Sequence, residues 1–540
     1  MGKAAHSRGK ALMLLDLLAP LLLCWGRTCR SAGIFGCLML MGCANDAPVP
    51  IAPETAYDFP LNVLFIVADD LNCALGAYGD TLVHTPNLDR LAEEGTVFTN
   101  AHCQYPLCGP SRASFMTGLY ADQTRIRKNN VYLRSAVPDV VTLSQRFRQR
   151  GYEAVRIGKI FHYDNPGTIG TAGIDDRHSW DRTINPYGRD KREEHRIHTL
   201  KPRRYGGTLS WLAMEGTDEE QTDGIGATEA CEQLDGFAER GAPFFLAVGF
   251  YRPHTPFVAP KAHFDAVDRE AMVVPEPHDE LLDDLPDPAA KSIRSMKTQI
   301  GLSTELSKEI IQAYRATVSF VDAQVGRVLD RLQETGLHRN TLVVFLSDHG
   351  YHLGEHGHWQ KQTLFDEGTR VPLIIRLPAG DPGVSITAPV ELVDLYPTIA
   401  DYAGLAVPGY VQGLSLRGLM DQETDTVRGS ALTVWRKGKS IATGRYRLTS
   451  WGEGGELGME LYDHQMDPDE LRNLALDAEE SPVLDSLTQV LERRWLASLQ
   501  VPDGLGRQVA DPPVAQKTPH LTPGDLYRLD GTLEISMSDQ

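Results

Sequence analysis

Asn62-Val-Leu-Phe-Ile-Val-Ala-Asp-Asp70 is the stretch that decides the fold. After Asn62 it is a continuous apolar run of strand length, rich in β-branched and aromatic residues, with no polar alternation. A strand of that kind is buried on both faces, which is the condition of a parallel sheet. It ends in two adjacent carboxylates, which are costly to bury unless a cation lies beside them. Ligands of open α/β sheets bind outside the carboxyl ends of the strands. Asp69 and Asp70 are therefore candidate metal ligands, with a solvated turn as the alternative.

The pattern recurs at Thr341-Leu-Val-Val-Phe-Leu-Ser347, which ends in Asp348-His349. Tyr152-Glu-Ala-Val-Arg-Ile157 leads into Gly158-Lys-Ile-Phe-His162. Pro243-Phe-Phe-Leu-Ala-Val-Gly249 runs out into Phe250-Tyr-Arg-Pro-His-Thr-Pro-Phe257. Between these strands lie helical patterns: residues 85–95, with Thr85 as cap, Pro86 at the first position and Gly95 as stop, and residues 141–151, 227–240 and 307–334. Strands alternating with helices predict an α/β fold, a large mostly parallel sheet flanked by helices. Residues 164–224 are polar, Gly-rich and without periodicity, and read as loops around a cleft. Beyond residue 420 short alternating runs and a helix near residues 484–499 predict a smaller antiparallel sheet packed by one helix. The resulting division is 1–43 leader, 44–59 linker, 60–420 main domain, 421–502 C-terminal subdomain and 503–540 tail.

The chain has 540 residues, 42% hydrophobic and 23% charged, enough for a large core. Its net charge of −19 argues against nucleic acid as a partner. An anionic substrate therefore requires a local basic pocket. Eight cysteines are present, four of them in the first 43 residues; the rest are too scattered for a disulfide framework, and no CxxC pair suggests zinc. Lys3, Arg8 and Lys10 precede two apolar runs, the second ending in Leu40-Met-Gly-Cys43. Neither run has the roughly 20 residues of a spanning helix. They read as an export signal, with Cys43 as the lipidation site of a bacterial periplasmic or outer-membrane surface lipoprotein. The Pro- and Ala-rich residues that follow form a tether.

Pro106-Leu-Cys-Gly-Pro-Ser-Arg-Ala-Ser-Phe-Met-Thr-Gly118 holds Cys108 beside a rigid turn. Pro110 biases Gly109 away from helix, so Ser111 is the expected cap of a helix beginning near Arg112. Cys108 would then sit just before a helix N-terminus, where anions bind and thiols are reactive. Asp69, Asp70, Asp348 and His349 make an oxygen-rich ligand set with one nitrogen. It favours calcium, then magnesium, and leaves zinc or manganese open through His349. Lys159, His162, His254 and Lys361 follow strands or the second ligand pair, and add two fixed charges and two candidate proton carriers.

Cys108-Gly-Pro-Ser-Arg112, followed by Phe115-Met-Thr-Gly118, resembles the signature of the formylglycine-dependent sulfatases. Asp69-Asp70, Gly158-Lys159, Ser347-Asp-His-Gly350 and Lys361 fall in that family's order, and the resemblance covers roughly residues 60–475. Within the family, Gly158-Lys-Ile-Phe-His162, Arg252-Pro-His-Thr-Pro-Phe257 and Gly354-Glu-His-Gly-His-Trp359 are most similar to the iduronate-2-sulfatase branch. The resemblance implies an alkaline-phosphatase-like fold and hydrolysis of sulfate esters on a sulfated carbohydrate. Cys108 would be converted to Cα-formylglycine by a maturation enzyme and hydrated to a gem-diol that attacks sulfur. It also implies one bound Ca2+ on Asp69, Asp70, Cys108, Asp348 and His349. Arg112, Lys159 and Lys361 would stabilise sulfate oxygens, His162 would assist the diol, and His254 would protonate the leaving oxygen. Arg125, Arg127, Lys128, Asn129 and Asn130 are candidates for a uronate carboxylate or a second sulfate, or form a solvated basic loop. Two other readings remain: a phosphatase or phosphodiesterase on the same scaffold, and a non-catalytic lipoprotein that binds sulfated glycans.

Overall fold

The computed structural model describes residues 60–202, 204–276, 281–477, 481–516 and 520. The leader, Cys43 and the tether lie outside the described residues, as do 517–519 and 521–540. Among the described residues eight strands form the principal sheet: β1 (Asn62–Asp69), β2 (Thr96–Phe98), β3 (Glu153–Gly158), β4 (Arg182–Ile184), β5 (Phe244–Pro253), β6 (Thr341–Ser347), β7 (Leu373–Arg376) and β8 (Val384–Ile386). Their spatial order is β8-β2-β7-β6-β1-β5-β3-β4. Strands β6, β1, β5, β3 and β4 run parallel. Strand β7 is antiparallel to both of its neighbours. The expected α/β architecture with a mostly parallel sheet is what the chain adopts.

Strand β1 is apolar throughout because both of its faces are covered. Val63, Phe65 and Val67 point into one core, shared with Phe115 and Met116 of helix α2 (Cys108–Thr117) and Phe147 of α3 (Leu143–Arg148). Leu64, Ile66 and Ala68 point into the other, shared with Leu88 and Leu91 of α1 (Pro86–Glu94), Phe237 of α4 (Thr222–Arg240) and Tyr314 and Val318 of α5 (Thr304–Glu334). Alternate side chains of a strand face opposite sides, so two layers of helix require two apolar faces. Two stretches differ from expectation. Residues 164–224 include β4, a strand Ser210–Met214 and the first turn of α4, so they are not merely loops. Helix α2 starts at Cys108, with Leu107 as its cap, so Cys108 is the first helical residue. Ser111 does not cap it. Pro110 falls in the first turn, where its missing N–H leaves no helical bond unmade.

The smaller sheet comprises β9 (Ala431–Trp435), β10 (Gly438–Ala442), β11 (Tyr446–Trp451) and β12 (Met459–Asp463), antiparallel throughout. Helix α6 (Ser481–Leu499) accompanies it, and Leu491 is buried in the same core as Leu432, Ile441 and Leu461. That core also takes in Tyr105 and Phe365, which come from the chain before Cys108 and after Lys361. Val434 N–H donates to the Gln104 carbonyl at 3.0 Å, so the sheet also braces the approach to Cys108. Residues 503–516 run back across residues 123–139. Leu505 is buried, Arg507 makes a two-pronged ion pair with Asp139 at 2.8 and 2.9 Å, and Val514 bridges Val131. This ordered segment is called the strap below.

The parallel register collects strand ends at one edge. Ala68 pairs with Ser347, and Gly158 with Gly249. Asp69, Asp70, Lys159 and Asp348 therefore emerge side by side. The crossing of β3 and β5 is too tight for a side chain. Gly158 has φ +66°, and a Cβ there would lie 2.1 Å from the Gly249 carbonyl oxygen, while one on Gly249 would lie 1.9 Å from that of Lys159. Either glycine changed to alanine is expected to destabilise the protein by about 3 kcal/mol. The midpoint of guanidinium unfolding measures this, and an unchanged midpoint for Gly249→Ala would contradict the packing described.

Candidate active site

The site is built on buried charges. Arg112 and Asp69 have no exposed side-chain surface, nor has Asp348. Arg112 Nη2 donates to Asp69 Oδ1 at 2.9 Å and Nε to Asp348 Oδ2 at 2.8 Å. Its Nη1 donates to the carbonyls of Lys159 and Ile160 at 2.7 and 3.1 Å. The guanidinium thus ties α2 to the ends of β1, β6 and β3. With these donors engaged within the protein, Arg112 positions the two carboxylates. Lys159 Nζ pairs with the second oxygen of Asp69, and Lys361 Nζ with Asp70 Oδ1. Ser111, the expected cap, donates instead to the carbonyl of Asp348.

Cys108 lies at the centre of the group. Its Sγ is 3.3 Å from His349 Nε2, 3.4 Å from Lys361 Nζ and 3.9 Å from Asp70 Oδ1. Burial pushes the Cys108 thiol far up, although Lys361 pulls the other way. The cysteine is a protonated thiol here and not the reactive thiolate that a helix N-terminus alone would favour. His349 faces the Gly350 carbonyl with Nδ1 at 3.0 Å, which assigns the proton to Nδ1 and leaves the Nε2 lone pair facing Cys108. Burial lowers its pKa to about 4, so it is neutral and able to ligate. His254 Nε2 is 3.7 Å from Asp70 Oδ2. His162 is half-buried at the mouth, with Nδ1 unpartnered. Burial holds both of these imidazoles well below the ordinary histidine range, with the nearby lysines adding to the effect.

Three carboxylates face three fixed cations, and the balance is uneven. Burial raises Asp69, but Lys159, His254, Arg112 and Lys361 outweigh it and hold its carboxyl well below the usual range. Asp70 goes the other way. Burial, with Asp69 and Asp348 beside it, outweighs Lys361 and pushes it up to about 7. Three buried carboxylates gathered at strand ends offer oxygen ligands that a divalent cation would suit. The ligand atoms fit one: Asp69, Asp70, Cys108 and His254 lie within 4.8 Å of one another, and so do Cys108, Asp348 and His349. The two groups meet at Cys108, so the structure brings the five expected metal ligands together and adds His254 to them.

Backbone strain concentrates here. Asp70 has φ 66°, and Gln360 and Gln362, which flank Lys361, have φ 79° and 74°. Non-glycine residues in this region cost roughly 1–3 kcal/mol each and gather at functional sites. Three residues take on a supporting role that only the packed structure shows. Ser347 Oγ accepts from Leu71 N–H and donates to the His349 carbonyl, both at 2.9 Å. Tyr314 hydroxyl donates to the Asp70 carbonyl at 2.9 Å from the middle of a helix that reads as ordinary amphipathic sequence. Asn129, expected to meet a substrate anion or to lie in a solvated loop, also braces the turn beside Cys108, its Oδ1 accepting from Gly109 N–H at 2.9 Å. A cavity of about 260 Å³ reaches His162 and is also lined by Asn129, Asn130 and Gln516 of the strap.

Comparison with known proteins accounts for this arrangement. The sulfatase family model matches residues 61–405. The model of the N-sulphoglucosamine sulphohydrolase C-terminal region matches residues 354–496. A sulfatase of Formosa agariphila is 33% identical over 474 residues, covering 84% of this chain and 90% of its own. Human iduronate 2-sulfatase is 34% identical over 394 residues, covering 64% of this chain and 70% of its own. Among solved structures, a 2-O GAG sulfatase superposes with TM-score 0.64 at 26% identity, covering 85% of this chain and 97% of its own. A phosphonate monoester hydrolase from Silicibacter pomeroyi superposes with TM-score 0.70 at 23% identity, covering 84% and 99%, a likeness of fold. The architecture is alkaline-phosphatase-like, and the chain belongs to the sulfatase family of sulfuric ester hydrolases.

Proposed function

We propose that the protein hydrolyses an O-sulfate ester on a sugar of a sulfated glycan, using Cα-formylglycine made from Cys108 and a calcium ion held by Asp69, Asp70, Asp348 and His349. The observation that carries this reading is the position of Cys108. A buried thiol held protonated, among two lysines and three carboxylates, is a poor nucleophile as it stands and a well-placed precursor of an oxygen nucleophile. Hydrated formylglycine would supply that oxygen, and calcium would supply charge stabilisation at the sulfate.

The chain's own residues then have distinct tasks. Arg112 keeps Asp69 and Asp348 in place from within. Lys159 and Lys361, held by Asp69 and Asp70, provide the ammonium groups that meet sulfate oxygens as substrate enters. His254, with Nε2 beside Asp70, takes up a proton once the incoming sulfate adds negative charge and as imidazolium gives it to the leaving sugar oxygen, and His162 at the mouth serves the attacking group. The likeness to iduronate 2-sulfatase and to a 2-O GAG sulfatase supports a 2-O-sulfated uronate as the substrate unit. The leader and its Leu40-Met-Gly-Cys43 ending support export as a periplasmic or surface lipoprotein, where such glycans are met.

Turnover of p-nitrophenyl sulfate is expected to exceed that of the phosphate analogue, and the reverse ratio would assign the chain to the phosphatase reading. Cys108→Ala is expected to abolish turnover. Mass spectrometry of the Cys108 peptide from active protein is expected to show thiol replaced by aldehyde. Chelation should silence the enzyme and calcium should restore it, whereas activity indifferent to chelator would remove the metal from the mechanism. His254→Ala is expected to lower kcat by about 10²–10⁴-fold with a protein of unchanged Tm.

A further inference from the structure

The loop of residues 125–131 carries two cations, Arg125 and Lys128, that form no ion pair among the described residues. Arg125 is half-buried, its Nε is buried without a partner, and its backbone is in the left-handed region at φ 60°. Arg127 between them is paired with Asp122. The chain has 72 acidic against 53 basic residues, so a cation left unpaired is not short of nearby carboxylates. Both cations line one cavity of about 200 Å³, whose opposite wall is the strap, with Asp511, Pro512 and Val514.

This cavity is joined to the reaction centre through the chain. Lys128 and Asn129 pack against Gly109, the neighbour of Cys108. A Cβ on Gly109 would lie 2.9 Å from Asn129 Cα and 3.2 Å from the Lys128 carbonyl oxygen. Asn129 and Asn130 in turn line the cavity that reaches His162, together with Gln516 of the strap. Asn130 fixes the strap by reciprocal hydrogen bonds with Ala515, at 2.7 and 3.1 Å. Both cavities are thus lined by residues of the same two segments, 125–131 and the strap. One has amide groups suited to sugar hydroxyls, the other free cations suited to an anion. The strap lies beyond both matched regions, which end at residues 405 and 496.

We propose that the cavity between Arg125, Lys128 and the strap is an anion subsite, separate from that of the reacting sulfate. It takes a carboxylate or sulfate on the sugar adjoining the one that loses its sulfate, while the amide-lined cavity beside His162 takes the ring that loses it. The proposal rests on the sulfated-glycan reading above. Asp511 on the opposite wall opposes the incoming anion and so moderates its affinity.

The test uses Arg125→Gln/Lys128→Gln and, with opposite sign, Asp511→Asn. Substrates are a 2-O-sulfated uronate disaccharide whose second sugar bears a sulfate, the same with a carboxylate, the same with neither, and p-nitrophenyl sulfate. The double variant is expected to raise KM for the anionic disaccharides about tenfold or more, and to leave the neutral disaccharide and the aryl ester within about twofold. Asp511→Asn is expected to lower KM for the anionic pair. The better of the sulfate and carboxylate arms identifies the group bound. Equal losses on all substrates would make the loop merely structural, and no change on any would empty the subsite; either result overturns the proposal. Calorimetric binding of the same disaccharides to Cys108→Ala protein reads the subsite without turnover. A failure of the sulfatase reading is thereby told apart: aryl sulfate stays unhydrolysed while the charge-dependent binding persists. Absence of that binding in otherwise unaltered protein also overturns the proposal.

Discussion

One guanidinium holds the site together. Arg112, fully buried, spans Asp69 at the end of β1 and Asp348 just after β6, and reaches the carbonyls that follow β3. Burying any of these charges alone would be prohibitive, and breaking such a pair typically leaves about 3–5 kcal/mol of uncompensated charge. The cost is tolerable because the partners are delivered in register by a parallel sheet whose strands cannot slip without turning their apolar sets to the wrong face. Sheet register and ion pairing therefore support each other. The glycine crossing of β3 and β5 belongs to the same constraint, since it lets Lys159 approach Asp69.

The electrostatics of that lattice explain why a cysteine stands at its centre without behaving as one. Position at a helix N-terminus favours a thiolate, but burial among carboxylates opposes it and wins. The same burial that suppresses the thiolate pushes the Asp70 carboxyl up and leaves His349 neutral with a free lone pair. A cation and an oxygen nucleophile are what such surroundings suit, which is the chemistry proposed for the site.

Around this rigid centre the walls are drawn from elsewhere in the chain. The small sheet lends its core to Tyr105 and Phe365 and so steadies the segments carrying Cys108 and Lys361. The strap, held by the Arg507–Asp139 pair and the Asn130–Ala515 bonds, closes one side of the mouth. Reaction chemistry and substrate choice are thus placed on different elements, the first on strand ends and the second on loops that a scaffold can vary.

The sequence by itself determined the parallel sheet and the chemistry at its edge. Runs such as 62–68 and 341–347 cannot be solvated, and carboxylates placed directly after them must meet cations. The signature around Cys108 carried the family because the residue types its chemistry needs lie within one short segment. Tertiary structure decided what depends on distance between remote segments. It moved the start of α2 to Cys108 and set Ser111 on the Asp348 carbonyl instead of at the cap. It turned Arg112 inward, because two buried carboxylates compete for its donors more strongly than solvent or substrate can. Tyr314, an unremarked tyrosine in a long helix, became a support of Asp70 only once that helix lay across β1. The strap shows no periodicity, since it is held by single hydrogen bonds and one ion pair and not by a repeating apolar face. Local pattern records what a segment buries by itself; which partners it meets is settled by the register and packing of the whole chain.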